Sequence, residues 1–156
     1  MSISGSGGIA CARIRLASPT CGRFPDRCSI YVLDKGEALD FYVGKLGLEK
    51  GNDVRQGDYR WLTVRVPGQP GIEISLEEPG PPLHDEATAE QLRDLISKGA
   101  LGGLVFITDD ARALFETLKT RGVTEFVQEP TDHFYGTDMA IRDPFGNAIR
   151  ILQQGG

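Results

Sequence analysis

"SIYVLDKGEALDFYVGKLGLE", residues 29–49, decides the fold, because the chain repeats its pattern as "LVFITDDARALFETLKTRGVTE", residues 104–125. Each copy opens with a short apolar, β-branched run, the pattern of a buried strand. An aspartate follows, then a segment with helical periodicity. In the first copy Asp34 is placed to cap the helix, with Glu37 completing a capping box. Ala38, Phe41, Tyr42 and Leu46 then recur at helical spacing and form one apolar stripe. In the second copy Asp110 is the cap, Leu114, Phe115 and Leu118 face inward, and Gly122 ends the helix.

Strand-like alternation follows each helix. "YRWLTVRVP" (59–67) runs through the turn "GQPG" into "IEISLEE" (72–78). "TDMAIR" (137–142) runs through "DPFG" into "AIRILQ" (148–153). Asp143-Pro144-Phe145-Gly146 suits a type I turn, with proline at its second position and glycine at its fourth. Matching Asp34 with Asp110 and Ile72 with Ile149 gives offsets of 76 and 77 residues, so one βαβββ unit is used twice. The expected organisation is α+β. Residues 27–79 form the first module and 102–154 the second, joined by a linker at 80–101. That linker carries a short helix, with Thr88 and Gln91 as its capping box and Ala89, Leu92, Leu95 and Ile96 on its buried side.

Bulk properties narrow the function. The net charge is −5, and the first 27 residues hold four arginines against one aspartate, so the rest is more acidic still. Phosphate binding needs a basic patch, which argues against nucleic acid or an anionic membrane as partner. No apolar run reaches the length of a membrane span. The three cysteines, Cys11, Cys21 and Cys28, are odd in number and form no CxxC pair. That pattern points to a reducing, cytoplasmic setting rather than a disulfide scaffold. Residues 1–26 are rich in Gly and Ser and lack a signal-peptide core. They share arginine and serine content with organelle transit peptides, and the expectation is a disordered extension or residues added by an upstream start codon.

The two copies, "YVLDKGEALDFYVGKLGLE" above all, and the closing "DPFGNAIRILQ" resemble the vicinal oxygen chelate superfamily. It includes glyoxalase I, extradiol dioxygenases, fosfomycin-resistance enzymes and bleomycin-binding proteins. The resemblance covers about residues 27–154. It implies that each copy curls its four strands into a curved mixed sheet around a central cavity, with the helices outside. On that basis Cys28, Ile30 and Val32, then Leu62, Val64 and Val66, then Ile72, Ile74 and Leu76 pack under the first helix. Arg27, Ser29, Tyr31, Tyr59, Trp61, Thr63, Arg65, Glu73 and Ser75 face the cavity. A slip of one residue would invert any strand.

Enzymes of that family hold a divalent metal with one residue from the first and one from the fourth strand of each copy. The resemblance carries these positions to Arg27 and Gly103, and to Glu73 and Arg150. Only Glu73 among them can ligate, since arginine has no acceptor lone pair. The inherited centre therefore reads as broken, and no cofactor is expected. The alternative is Fe, Mn, Ni or Zn on an unconventional set such as Glu73 and His133. Bland readings stand beside these. His84 and His133 suit surface loops, Glu73 and Arg150 suit a cross-cavity ion pair, and Tyr59 and Trp61 suit ordinary packing. No nucleophile elbow or phosphate loop is present.

Two functions remain in view. One is a metal-free protein binding a small organic molecule, with Arg27, Arg65 and Arg150 on its anionic or carbonyl group and Tyr31, Tyr59 and Trp61 on its flat part. The other is a metal-dependent lyase, isomerase or dioxygenase. A third variant uses Glu73 as a metal-free general base. A homodimer is expected, since C₂ is the commonest symmetry.

Overall fold

In the computed structural model of the chain, the described residues are 14–16, 27–69 and 71–156, with backbone alone for 14–16 and Arg27. Two modules of the expected order are present. The first has β2 (Arg27–Tyr31), α1 (Lys35–Leu39), β3 (Glu49–Gln56), β4 (Tyr59–Arg65) and β5 (Glu73–Glu77). The second has β6 (Leu104–Thr108), α3 (Ala111–Thr120), β7 (Phe126–His133), β8 (Gly136–Arg142) and β9 (Ala148–Gln154). Between them lies α2 (Glu86–Ser97). The first sheet has the order β2-β5-β4-β3 and the second β6-β9-β8-β7, with β1 (Ile14–Leu16) added outside β6. In each module the first strand pairs parallel to the last, and the other pairings are antiparallel.

The helices form where local chemistry starts them. Asp34 accepts a hydrogen bond from the Glu37 N–H at 2.7 Å, and Asp110 from Ala113 at 2.9 Å. Both satisfy a donor the first turn leaves open. α1 continues as a π-helical stretch, Asp40–Lys45. Ala38, Phe41, Tyr42 and Leu46 are all buried against the first sheet, as are Leu114 and Leu118 against the second. The linker helix begins earlier than its apparent capping box. Asp85 is the cap, accepting from Thr88 at 2.7 Å, because an aspartate preceding Glu86 offers a stronger acceptor than Thr88 inside the helix. Ala89 and Ile96 are its buried residues, whereas Leu95 is 39% exposed.

One core runs through both modules, from Ile30, Val64 and Ile74 to Phe106, Met139 and Ile149. Each such side chain removed from water contributes about 1.5–3 kcal/mol. The joint between modules is polar and satisfied. Tyr42, fully buried, donates its hydroxyl to Asp143 Oδ2 at 2.7 Å. Asp143 Oδ1 accepts from the N–H groups of Phe145 and Asn147, and the Asn147 amide donates to the Tyr31 carbonyl at 2.7 Å. Burial and then the Asp143 charge drive the Tyr42 phenol well above its ordinary pKa. The Asp-Pro-Phe-Gly-Asn turn thus forms the hinge contact with the first module, beyond reversing its own strands.

Two expectations change here. Residues 14–16 of the extension are a strand and not disordered, because β6 offers an unpaired edge and Ile-Arg-Leu alternates to suit it. The rest of the extension, Cys11 and Cys21, and Pro70 of the first turn lie outside the described residues. The second change is in the internal repeat. Arg65 pairs with Glu73 across seven residues, while Arg142 pairs with Ala148 across five. Ile74 opposite Val64 therefore corresponds to Ile149 opposite Ile141, and the match of Ile72 with Ile149 is displaced by two.

Candidate functional site

The displacement redefines the site. Glu73 and Arg150 are not equivalent: Glu73 corresponds to Ala148, and Arg150 to Ser75. The parallel pairings agree, since Arg27 lies opposite Glu73, Ser29 opposite Ser75, and Val105 opposite Arg150. Gly103 remains the counterpart of Arg27 and sits against the Ala148 backbone. A Cβ there would come within 1.7 Å of the Ala148 carbonyl oxygen, so only glycine fits.

On the second sheet the concave face is built by residues alternating with the core. Ile149 and Ile151 are fully buried, and Arg150 between them projects the other way, with its side chain 55% exposed. Gly103, Val105, Gln128, Ala140, Ala148 and Arg150 border a concavity of about 350 Å³. The Arg150 guanidinium does not hang free. Its Nε donates to both Asp138 oxygens at 3.0 and 2.8 Å, and its Nη2 also donates to Oδ2. The Asp138 side chain is only 1% exposed, and it also accepts from the Tyr135 hydroxyl at 3.2 Å. The hydrogen bonds from Arg150 hold the Asp138 carboxyl below the usual carboxylate range. Gln128 fixes the strand behind it by donating to the Asp138 carbonyl at 3.2 Å. A buried carboxylate thus orients an exposed guanidinium over an apolar floor.

On the first sheet Tyr31, Tyr59, Trp61, Arg65 and Glu73 are all half-buried, opposite in parity to the buried Leu62, Val64 and Ile74. Asn52 donates its amide to both Glu73 oxygens at 2.9 Å and its backbone N–H to Thr63. Tyr59 donates to Glu77 at 3.3 Å, and burial followed by the Glu77 charge raises its phenol. Tyr59 also borders a separate depression of about 290 Å³ shared with Lys35, Arg60 and Pro81. Tyr31 lies 3.3 Å from His84 Nε2. Arg65 Nε is buried without a hydrogen-bond partner among the described residues. Burial raises the Cys28 thiol, which contacts the Glu73 carbonyl.

The expected site residues therefore fall on two faces, with Arg150 apart from the other candidates. The suggested ion pair between Glu73 and Arg150 is absent: Asn52 binds the first and Asp138 the second. His133 does not approach Glu73. It stacks on Tyr135, ring centroids 4.9 Å apart, at the β7–β8 hairpin. Sequence reading missed Asn52, Gln128 and Asp138. Asp138 carried a signal, since it alternates with the buried Met139 and Ile141 and so shares the inward parity of Ala140.

The family's metal positions do not fit a metal here. Arg27, Gly103, Ser75 and Arg150 supply at most one hydroxyl oxygen, and Glu73 is two residues away from the corresponding strand position. Among the described residues no three His, Cys, Asp or Glu side chains gather to hold an ion. Nor is any described helix long and apolar enough to cross a membrane.

A sequence profile of the Glyoxalase/Bleomycin resistance protein/Dioxygenase superfamily matches residues 25–151. The chain is 38% identical over 127 residues to the uncharacterized protein YurT of Bacillus subtilis, covering 81% of this chain and 95% of that one. Among solved structures, UcmS2 shares 41% identity with a TM-score of 0.80, over 86% of this chain and all of that one. TnmS3, an antibiotic binding protein from Streptomyces sp. CB03234, shares 28% identity with a TM-score of 0.66, over 88% of this chain and all of that one.

Proposed function

The chain belongs to the glyoxalase/bleomycin resistance protein/dioxygenase superfamily, the vicinal oxygen chelate proteins, and on that premise we propose that it binds a small organic molecule without a metal centre. The observation that carries the reading is Arg150, held by buried Asp138 at the strand position where enzymes of the family place a metal ligand. A guanidinium fixed in this way is preorganised for a carboxylate, sulfonate or quinone-type carbonyl. Val105, Ala140 and Ala148 provide the apolar floor for a flat scaffold. Similarity to an antibiotic binding protein supports a role in sequestering such a compound without converting it. Tyr31, Trp61 and Arg65 on the other module face the second half of the ligand, in a cavity closed within the chain or across a two-fold homodimer. The exposed Val105 and the fully exposed Phe134 support an assembly that covers them.

The test is a titration of aromatic antibiotics and aromatic acids, read by the fluorescence of Trp61, the single tryptophan. Ligand recovered after incubation is checked by mass spectrometry. Saturable binding, unchanged ligand and at least tenfold weakening in Arg150→Gln are expected. One tightly bound equivalent of Fe, Mn, Ni or Zn together with turnover of the ligand would overturn the reading.

A further inference from the structure

We propose that Tyr135 is a second specificity-determining residue beside Arg150, and that it selects organic acids carrying a hydroxyl or N–H donor near the acid group. This rests on the binding role of Arg150 proposed above. Tyr135 lies at the tip of the β7–β8 hairpin, and its hydroxyl meets Asp138 Oδ2 at 3.2 Å. Arg150 Nε and Nη2 meet the same oxygen. Phenol and guanidinium are therefore neighbours around one carboxylate atom.

The position of Tyr135 is built in. Its ring stacks on that of His133, with centroids 4.9 Å apart and planes 6° from parallel. Its carbonyl accepts from the Gly155 N–H at 3.1 Å, which ties the hairpin tip to the end of β9. Gly136, which follows it, has a φ of +138°, and a Cβ there would come within 2.0 Å of the Gln153 carbonyl oxygen. Only glycine lets the two strands close up beside Tyr135. Asp138 lies opposite Leu152 and Gly136 opposite Gln154, so the cluster sits on the side of Arg150 away from Ala148. The apolar floor extends to the Ala148 side of Arg150, and Tyr135 stands on the other.

The direction of each hydrogen bond follows from the carboxylate. Ionised Asp138 can only accept, so the Tyr135 phenol gives its proton to Asp138 and keeps its lone pairs for another donor. Arg150 spends Nε and Nη2 on Asp138, while Nη1 has no acceptor among the described residues. A cationic donor and a neutral acceptor thus stand side by side. A bare carboxylate satisfies the arginine and sets its own lone pairs against those of the phenol. An acid with an O–H or N–H of its own satisfies both. The two ligand groups so placed are about 3–5 Å apart. Asp138 itself is buried, so a ligand donor meets Tyr135 instead.

The matched probes are 3-(2-naphthyl)propanoate, its 3-hydroxy derivative and its 3-methoxy derivative, which offers an acceptor and no donor. Each is titrated calorimetrically against wild type, Tyr135→Phe and Arg150→Gln, with thermal unfolding as the check of fold. Tyr135→Phe keeps the ring and its stacking on His133. Wild type should bind the hydroxy acid about threefold to tenfold more tightly than either other acid, the worth of one uncharged hydrogen bond. Tyr135→Phe should bind all three alike, and Arg150→Gln should weaken all three. Equal binding of the three acids by wild type, or a preference that survives in Tyr135→Phe, overturns the role of Tyr135 and leaves the proposed function standing. Binding of none of the three also overturns it. Affinities unaffected by Arg150→Gln overturn both readings.

Discussion

Asp138 and Arg150, diagonal neighbours across β8 and β9 (Asp138 lies opposite Leu152, and Arg150 opposite Ala140), form a pair in which the carboxylate is buried and the guanidinium half-exposed. The asymmetry matters physically. Asp138 cannot recruit water if Arg150 is removed, whereas Arg150 can still be solvated if Asp138 is removed. The pair therefore orients the arginine more than it stores stability, in line with the modest worth of exposed ion pairs.

Asp138→Asn should keep the fold but loosen Arg150. Replacing a charged acceptor by a neutral amide oxygen beside a half-exposed guanidinium predicts destabilisation of only about 0.5–1.5 kcal/mol by urea unfolding at neutral pH. The pH dependence has a fixed sign. A carboxyl whose pKa is depressed in the folded chain stabilises above its unfolded pKa, and that stabilisation disappears as pH falls through the lowered folded value. Wild type should therefore lose stability on acidification more steeply than Asp138→Asn. Parallel profiles would show that the pair contributes nothing.

Tyr42→Phe removes a hydroxyl that joins the first module's helix to the second module's turn. Asp143 keeps donors from Phe145 and Asn147, so a loss of about 1–2 kcal/mol is expected. Denaturation should stay a single transition, since the apolar core also spans the modules. A transition that splits in two would mean that this hydrogen bond, rather than the core, couples them.

Gly103→Ala tests the register of the second module. With 1.7 Å available to a Cβ against backbone, β6 must separate from β9, and destabilisation above about 3 kcal/mol is expected. Gly44, in the π-helical stretch with nothing within 4 Å, is the control: Gly44→Ala should be neutral or stabilise by up to about 1 kcal/mol. Similar melting temperatures for the two variants would refute the close approach.

Asp53 offers a titration that needs no ligand. Hydrogen bonds from Arg60, 2.8 Å from Nε to Oδ1 and 2.9 Å from Nη2 to Oδ2, pull its carboxyl down to about 2. NMR titration of the side-chain carboxyl carbon should show that midpoint in wild type and a return toward about 4 in Arg60→Ala. Because the folded pKa is the lower one, the pair's contribution is present above the ordinary carboxylate range and fades as pH falls through about 2. A wild-type midpoint near 4 would show the pair to be open in solution.

The doubled segment at 29–49 and 104–125 determined the module, its helices and their buried faces. Apolar residues at helical or alternating spacing have one way to leave water together, so Tyr42, Leu62, Ile74, Leu114 and Ile149 were readable as core. The same alternation placed Arg150, Glu73 and Trp61 on the opposite face. Pairing register was not readable in the same way. A turn two residues longer in the first module preserves every inward and outward assignment while changing which residue faces which, so parity alone could not separate Glu73 from Ser75 as the counterpart of Arg150. Partner choice also depended on distance in space: Asp138 over Glu73 for Arg150, Asn52 for Glu73, Asp143 for Tyr42. Only the tertiary structure decided that β1 completes the edge of β6, because an edge strand's partner is set by which backbone groups remain unpaired once the rest of the chain has folded.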